Sequence, residues 1–570
     1  MTDTTNSPGA DGGDALVTAF NAVGADYLFC SSGSEWAPVW ESLARRHREG
    51  LPCPEYLDLT HETVAVGMAT GYGLVERRPQ GVLLHAAPGL LQGSMAVHGA
   101  LLAGVPMVVS SSESTTYGDG PGRDPGGQWY RNLSVVGGPH QIAQPFTKWS
   151  NEAAGVHTLP TMVARAAELA WRAPAGPAYL NIPLEILLEE WDGREAKPIV
   201  PPGSTHSSPE EVDPVARMIR EAADPVIVTE TAGREAGGFE ALVAFAEAWH
   251  IPVVEPDSAV CGNFPRTHPL HAGSDIGPWM DEADLILLVN CRAPFYPPSR
   301  RPSKARIVVI DEVPQRPHVV YQVLFADKYL EGNVTNTLRQ LAKRAKDLDE
   351  AAVALRRTAQ EQRHAAEQAA IAGAEAKASA QAEGIDPVLV AATLRKLLDG
   401  KDGIVVDETI THSRVVKRHV QTDAPDSYFY VQGGLGQGIA VALGVKLAAR
   451  ERPVVLTIGD GAFAYNPVIP SYDASKAYDL PLLIVVFNNR VYKSMNLNHR
   501  RFYPEGAAAE TGEWLGTDLH RLPRLAQFAE PFGMHTETVD APDALAPALE
   551  RALKAMSEGT TAVVDVLVTR

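Results

Sequence analysis

Two short motifs in the C-terminal third carry oxygen donors of the kind a hard cation needs. Residues 453–458 form an apolar run that passes straight into Gly459-Asp460-Gly461, and residues 482–487 form another that passes into Asn488-Asn489. Continuous apolar runs of this length read as buried strands of a parallel sheet. The stretch 472–478 between them reads as helix, so the pair predicts a βαβ unit. Both strands then end on one edge of the sheet, where open α/β folds bind ligands. Asp460 offers a carboxylate and Asn489 an amide carbonyl; with one backbone carbonyl and phosphate oxygens from a ligand they would complete an octahedral Mg2+ site. Gly459 and Gly461 let the backbone come close to a diphosphate. Either motif alone is most often a turn, and a second Gly118-Asp119-Gly120 has neither a strong strand before it nor an Asn-Asn partner. The combination, with 26 residues between Gly461 and Asn488, is what points to a site.

These motifs need a scaffold, and 570 residues are too many for one domain, the expectation being one per roughly 150 residues. The chain divides into three α/β units with parallel sheets flanked by helices. In the first, 14–190, strands are predicted at 27–30, 82–85, 106–110 and 178–182, with Ala/Gly-rich helices at 62–75 and 90–102. A Pro/Ser-rich linker at 198–204 follows. The second unit, 210–345, has strands at 225–229, 251–255, 285–290 and 306–311, and no residue in it announces chemistry. An Ala/Glu/Gln/Lys-rich segment within 346–384 favours helix but lacks an apolar stripe, which predicts an exposed, partly mobile connector. The third unit, 385–570, has strands at 403–407, 453–458, 482–487 and 562–568. It shares the class of the first unit without an obvious repeated sequence.

Composition removes several function classes. A formal net charge of -19 speaks against a nucleic-acid or anionic-membrane footprint, since both need basic patches. The most apolar long stretch, 81–112, is interrupted by His85, Pro88, His98 and Pro106 and makes a poor membrane span. Cys30, Cys53, Cys261 and Cys291 are too scattered for a disulfide framework or a zinc cluster, and residues 1–14 lack a signal pattern. The expected setting is a reducing cytoplasm.

The Gly-Asp-Gly and Asn-Asn pair resembles the signature of thiamine-diphosphate-dependent enzymes of the decarboxylase, oxidase and acetolactate synthase group. The resemblance covers nearly the whole chain and implies three domains in this order: pyrimidine-binding, central and diphosphate-binding. It implies thiamine diphosphate and Mg2+ as cofactors, with Asp460, Asn489 and the main-chain carbonyl of Val491 as metal ligands. The separation is slightly long for the family, and Ala462 stands where many members have a serine. Asp407-Glu408-Thr409-Ile410-Thr411 looks like a second diphosphate-contacting turn, with Thr411 as side-chain donor. Glu62 opens an apolar helix and matches the family's activating glutamate, which shares a proton with the cofactor's pyrimidine ring so that the reactive ylid can form. Gln432-Gly433-Gly434-Leu435-Gly436-Gln437-Gly438 resembles the loop under the cofactor; Leu435 would be the wedge that keeps it bent and the Gly433 carbonyl would accept from its amino group. Read as a dinucleotide fingerprint, the same glycines lack the final Gly and the acidic residue that should follow.

Ser32-Gly33-Ser34-Glu35 and Leu84-His85-Ala86-Ala87-Pro88-Gly89 look like benzoylformate decarboxylase. Carried over, Ser34 would hydrogen-bond the substrate and His85 would shuttle protons at the reacting carbon, a role suited to imidazole. An ordinary loop serine and a satisfied core histidine are the plain alternatives. The second histidine of that enzyme would fall near Phe295-Tyr296-Pro297-Pro298, where none stands. Ser110-Ser111-Ser112-Glu113 and Met495 replace the adjacent histidines and the glutamate of pyruvate decarboxylases, so Met495 reads as an apolar pocket wall. Residues 498–520 look like an irregular flap. The resemblance implies a C–C bond lyase or carboligase acting on a small carbonyl substrate, a 2-oxo acid or 2-hydroxy carbonyl compound. It also implies a homodimer at least, and a homotetramer by family habit. An acetolactate synthase would bring FAD, for which no flavin signature is evident; a 2-hydroxyacyl-CoA lyase and a catalytically silent relative are the remaining readings.

Overall fold

The computed structural model describes residues 10–116, 119, 124–127, 133–346 and 348–569; Gly118 and Gly120 of the second Gly-Asp-Gly lie outside them. Three parallel sheets are present. The first is built from β1 (Tyr27–Ser31), β2 (Glu55–Leu59), β3 (Gln80–Leu84), β4 (Met107–Ser111), β5 (Trp149–Glu152) and β6 (Pro177–Asn181), in the order β2-β1-β3-β4-β6-β5. The second contains β7 (Pro225–Thr229), β8 (Val253–Val254), β9 (Leu285–Val289), β10 (Arg306–Asp311) and β11 (Lys328–Glu331), in the order β11-β10-β9-β7-β8. The third contains β12 (Ile404–Glu408), β13 (Tyr428–Tyr430), β14 (Val454–Gly459), β15 (Leu483–Asn488), β16 (His535–Val539) and β17 (Ala562–Leu567), in the order β13-β12-β14-β15-β17-β16. Counted within each sheet, the first and third have the same strand order, a likeness the sequence does not display.

The central strands β3, β4, β7, β9 and β15 are buried at every position, as expected of sheets covered on both faces. In the first and third sheets the crossovers run through helices, whereas β9 reaches β10 and β10 reaches β11 through irregular segments, and each sheet has a switch point where the strand order reverses. In the first sheet it falls between β1 and β3, and in the third between β12 and β14.

The chain forms two compact units. One holds the first sheet with residues 432–449 and 469–474; the other holds the second and third sheets. In the first unit, helix Glu62–Glu76 packs on helix Gly438–Ala448 at very short range. A Cβ on Gly71 would lie 1.9 Å from the Val441 carbonyl oxygen, and one on Gly444 would lie 2.0 Å from that of Met68. The small residues of both helices are what lets the backbones meet.

The connector is a helix, as expected, and most of its length is exposed. Helix Glu350–Ser379, 30 residues long, is also held to its neighbours by ion pairs. Arg363 pairs with Glu282 at 2.8 Å, Glu367 with Arg418 at 2.7 Å, and Glu375 with both Arg395 at 2.7 Å and His419 at 2.9 Å. The helix's own Ile371 and Ala378 are buried. Long charged side chains make most of the other contacts, which an apolar stripe would not register.

Candidate active site

In the third sheet β14 pairs with β15 in parallel register, Gly459 opposite Phe487, so Asp460 and Asn489 leave adjacent strand ends. Asp460 is the first residue of helix Asp460–Tyr465 and is buried. Its Oδ1 accepts from the Gly461 amide at 2.7 Å and its Oδ2 from the Arg490 amide at 2.6 Å. Burial nevertheless pushes its carboxyl up to about 6, against those amide bonds. A buried carboxylate short of positive charge fits a divalent cation. Asn489 is buried too, and its Oδ1 accepts from the Val491 amide at 2.9 Å. The Val491 carbonyl takes the Lys493 amide at 2.8 Å and keeps its second lone pair. Arg490, at φ 59, makes the turn that brings these groups round. The donor set is thus two side-chain oxygens and one carbonyl, all hard, which suits Mg2+. Behind it, Asn488 donates to Asp565 at 2.9 Å, and Asp565 accepts from the Leu525 amide at 3.0 Å.

The turn after β12 is held from beneath. Asp407 is fully buried and accepts from the Thr409 amide and hydroxyl at 2.9 and 2.7 Å, from the Tyr428 hydroxyl at 2.8 Å and from Thr457 at 3.0 Å. Thr411 sits in the one-turn helix Ile410–His412, half-buried. His412, to which the sequence reading gave no role, is buried there with its Nε2 unpartnered. Burial, then the Lys493 charge, lowers its imidazole to about 4, so it is neutral near pH 7.

In the first sheet the switch point carries the acid–base groups. Glu62 starts helix Glu62–Glu76, with His61 as its N-cap. His85 follows β3 and precedes helix Ala86–Ala103. Both lie against Gly89: a Cβ there would sit 3.3 Å from Glu62 Oε1 and 3.3 Å from His85 Cβ. Glu35, which follows β1, is 1% exposed and was quoted in its motif without a role. Its carboxylate lies 2.8 and 2.9 Å from His85 Nδ1 and accepts from the Ala86 amide at 2.9 Å. The Glu35 hydrogen bond raises His85 above the usual imidazole value despite burial, and Glu62 adds to the effect. Gly33 leaves the room for this pair, since its Cβ would lie 2.2 Å from His85 Nδ1. Ala86 at φ 44 turns the chain sharply after His85, a strained geometry typical of functional sites. Ser34 is exposed. An acid two residues after a strand-end glycine was the available signal for Glu35.

In residues 432–438, Gly433 and Gly436 have φ of 92 and 101, and Leu435 is half-buried. The Gln437 amide ties the loop by donating to the Gln432 and Gly434 carbonyls at 3.2 and 3.0 Å. Residues 498–520 are more ordered than a flap. Helices Lys493–Phe502 and Ala507–Thr511 cover much of the stretch, and Trp514 folds back under the Arg500 guanidinium at 4.3 Å. Met495 is half-exposed on the first of them rather than walled in. Tyr296, at the place of the missing histidine, accepts from Arg501 at 3.0 Å. Among the described residues no helix is long and apolar enough to cross a membrane.

Sequence comparison matches the chain to the N-terminal TPP binding domain of thiamine pyrophosphate enzymes over residues 10–135, to their central domain over 212–341 and to their C-terminal TPP binding domain over 409–566. An acetolactate synthase large subunit of Mycobacterium tuberculosis is 26% identical over 99% of this chain and 97% of its own length. The benzoylformate decarboxylase of Pseudomonas aeruginosa is 27% identical over 83% of this chain and 84% of its own. In fold, the benzoylformate decarboxylase of Polynucleobacter necessarius superposes with a TM-score of 0.79 at 20% identity, covering 98% of each chain.

Proposed function

Because the chain belongs to the thiamine-diphosphate-dependent enzyme family, we propose that it is an Mg2+-dependent C–C bond lyase or carboligase acting on a 2-oxo acid or 2-hydroxy carbonyl compound. The observation that carries this reading is the buried Glu35 carboxylate behind His85, with Glu62 also against Gly89. When bound, thiamine diphosphate supplies a carbon nucleophile that adds to a carbonyl and accepts the electron pair released as the neighbouring bond breaks. Asp460, Asn489 and the Val491 carbonyl would hold the metal, and the Gly459–Gly461 and Thr409–Thr411 turns would receive the diphosphate.

The remaining work falls to side chains of this protein. Glu62 holds a proton against the pyrimidine ring. His85 is bound to Glu35 through Nδ1, so Nε2 is the nitrogen that exchanges a proton with the substrate carbon or oxygen. Glu35 is a positioning residue: it fixes the ring and favours the imidazolium. Ser34 donates to the substrate carboxylate or carbonyl. The working assembly is at least a homodimer, and by family habit a homotetramer.

The test is a screen of aryl and alkyl 2-oxo acids and acyloins with the protein loaded with thiamine diphosphate and Mg2+, following carbon dioxide release and carboligation products. Turnover of at least one class, reduced by about 10²–10⁴ in His85→Ala, is expected. No turnover of either class would overturn the reading. An acetolactate synthase reading is favoured by the full-length similarity to that synthase; acetolactate from pyruvate would identify it.

A further inference from the structure

The second compact unit contains a cavity of about 360 Å³ whose lining includes none of the residues assigned above to the cofactor or substrate. Three elements line it: the segment after β8, helix Glu350–Ser379 and helix Ser413–Val420. Its deepest wall is cationic. Arg266, 6% exposed, donates through Nη1 to the Lys417 carbonyl, while its Nε has no hydrogen-bond partner and lies 3.7 Å from Glu255. Glu255 is shared with His271 at 3.2 Å. Lys417, 7% exposed, donates to the Asp257 and Ala259 carbonyls at 2.9 and 3.2 Å and has no carboxylate within ion-pair distance among the described residues.

Of the other charges, Asp257 meets Arg414 at 2.8 Å and Glu367 meets Arg418 at 2.7 Å, while Asp275, on the exposed rim, accepts from the Gly277 amide at 2.7 Å and meets no cation within ion-pair distance among the described residues. The buried wall therefore holds two fixed cations against one carboxylate. A buried ammonium satisfied only by carbonyls is costly without a counter-charge. Burial, with the Arg266 charge beside it, pulls Lys417 down to about 8, against the opposing charges of Asp257, Asp407 and Glu255. A second lobe of about 380 Å³ continues past His271 and Glu367 to Trp279, on which the Arg363 guanidinium stacks at 4.5 Å.

We propose that this cavity binds a small anion, a carboxylate or phosphate carried on a compact molecule, and is separate from the cofactor site. The anion supplies the counter-charge that Lys417 and Arg266 lack, and the Trp279 lobe receives the rest of the molecule. Helix Ser413–Val420 begins two residues past Thr411 and brings both Arg414 and Lys417 to the cavity.

The experiment is calorimetric titration of the protein, held with thiamine diphosphate and Mg2+, with inorganic phosphate and separately with malonate. Saturable binding of at least one probe is expected, weakened tenfold or more in Lys417→Met and in Arg414→Gln. The probe that binds tells a phosphate from a carboxylate source. The Arg414 side chain is 71% exposed, so its variant keeps the test open if Lys417→Met does not fold. No binding of either probe, or parent-like affinity in the folded variants, overturns the proposal.

Discussion

Glu35→Gln isolates the charge behind His85 while leaving the shape. In the parent the carboxylate holds His85 Nδ1 at 2.8 Å and the Ala86 amide at 2.9 Å. The amide oxygen of glutamine can keep the Ala86 bond, but its contact to the imidazole becomes neutral. A hydrogen bond to a charged group contributes about 1.5–3 kcal/mol and a neutral one about 0.5–1.5 kcal/mol. The difference between the midpoints, about 1.3 kcal/mol, is just under tenfold, so turnover near pH 7 should fall by somewhat less than tenfold. This is a smaller loss than in His85→Ala. The pH profile carries the sharper signature. Glu35 raises the His85 value, so the imidazolium is stabilised, and the acid form is lost as pH rises through that value. Without the negative charge the alkaline limb of kcat/KM should move to lower pH. Stability follows the same sign: the pair's contribution is fully present below roughly 6.5, the unfolded histidine value, and fades as pH rises through the folded value. The melting difference between parent and variant should therefore narrow from acid to alkaline pH. A parent-like rate with an unmoved profile would refute the positioning role.

Replacing Glu62 with Gln removes a titrating proton and should slow hydrogen–deuterium exchange at the cofactor's thiazolium carbon; parent-rate exchange with collapsed turnover would assign Glu62 another task. If each site is completed by two chains, mixing the inactive variants Glu62→Gln and Asp460→Ala should restore part of the activity, and a fully active monomer in sedimentation would contradict it. Gly71→Ala forces a Cβ to within 1.9 Å of the Val441 carbonyl and should cost about 1–3 kcal/mol by overpacking, read as an earlier unfolding transition; parent-like unfolding would show that the helix pair can spread.

Strands β12, β14, β15 and β17 of the third sheet were legible because they are uninterrupted apolar runs, and the strand ends that carry Asp460 and Asn489 follow directly from where those runs stop; β13, only three residues long, and β16, His535–Val539, with its polar residues, gave no such signal. Glu35 was harder. Its partner is 50 residues away, and only the pairing of β1 with β3 brings them together. His412 gave no signal, because its significance lies in an unpartnered buried nitrogen. The connector was legible as an exposed helix but its attachments were not: hydrophobic periodicity cannot register ion pairs through Arg363, Glu367 and Glu375. The shared strand order of the first and third sheets is likewise a property of hydrogen bonding between strands, invisible in the residue types alone. The half-exposed position of Met495 depends on how residues 493–502 coil, a local choice that its flanking charges did not reveal.

The central claim is that thiamine diphosphate is held through a divalent metal on Asp460 and Asn489. Thiamine diphosphate titration of the parent with Mg2+, the parent in EDTA, and Asp460→Ala with Mg2+ tests it most directly. The account predicts tight binding in the first case and its loss in the other two, with Asp460→Ala still folded. Equal affinity in all three would contradict it.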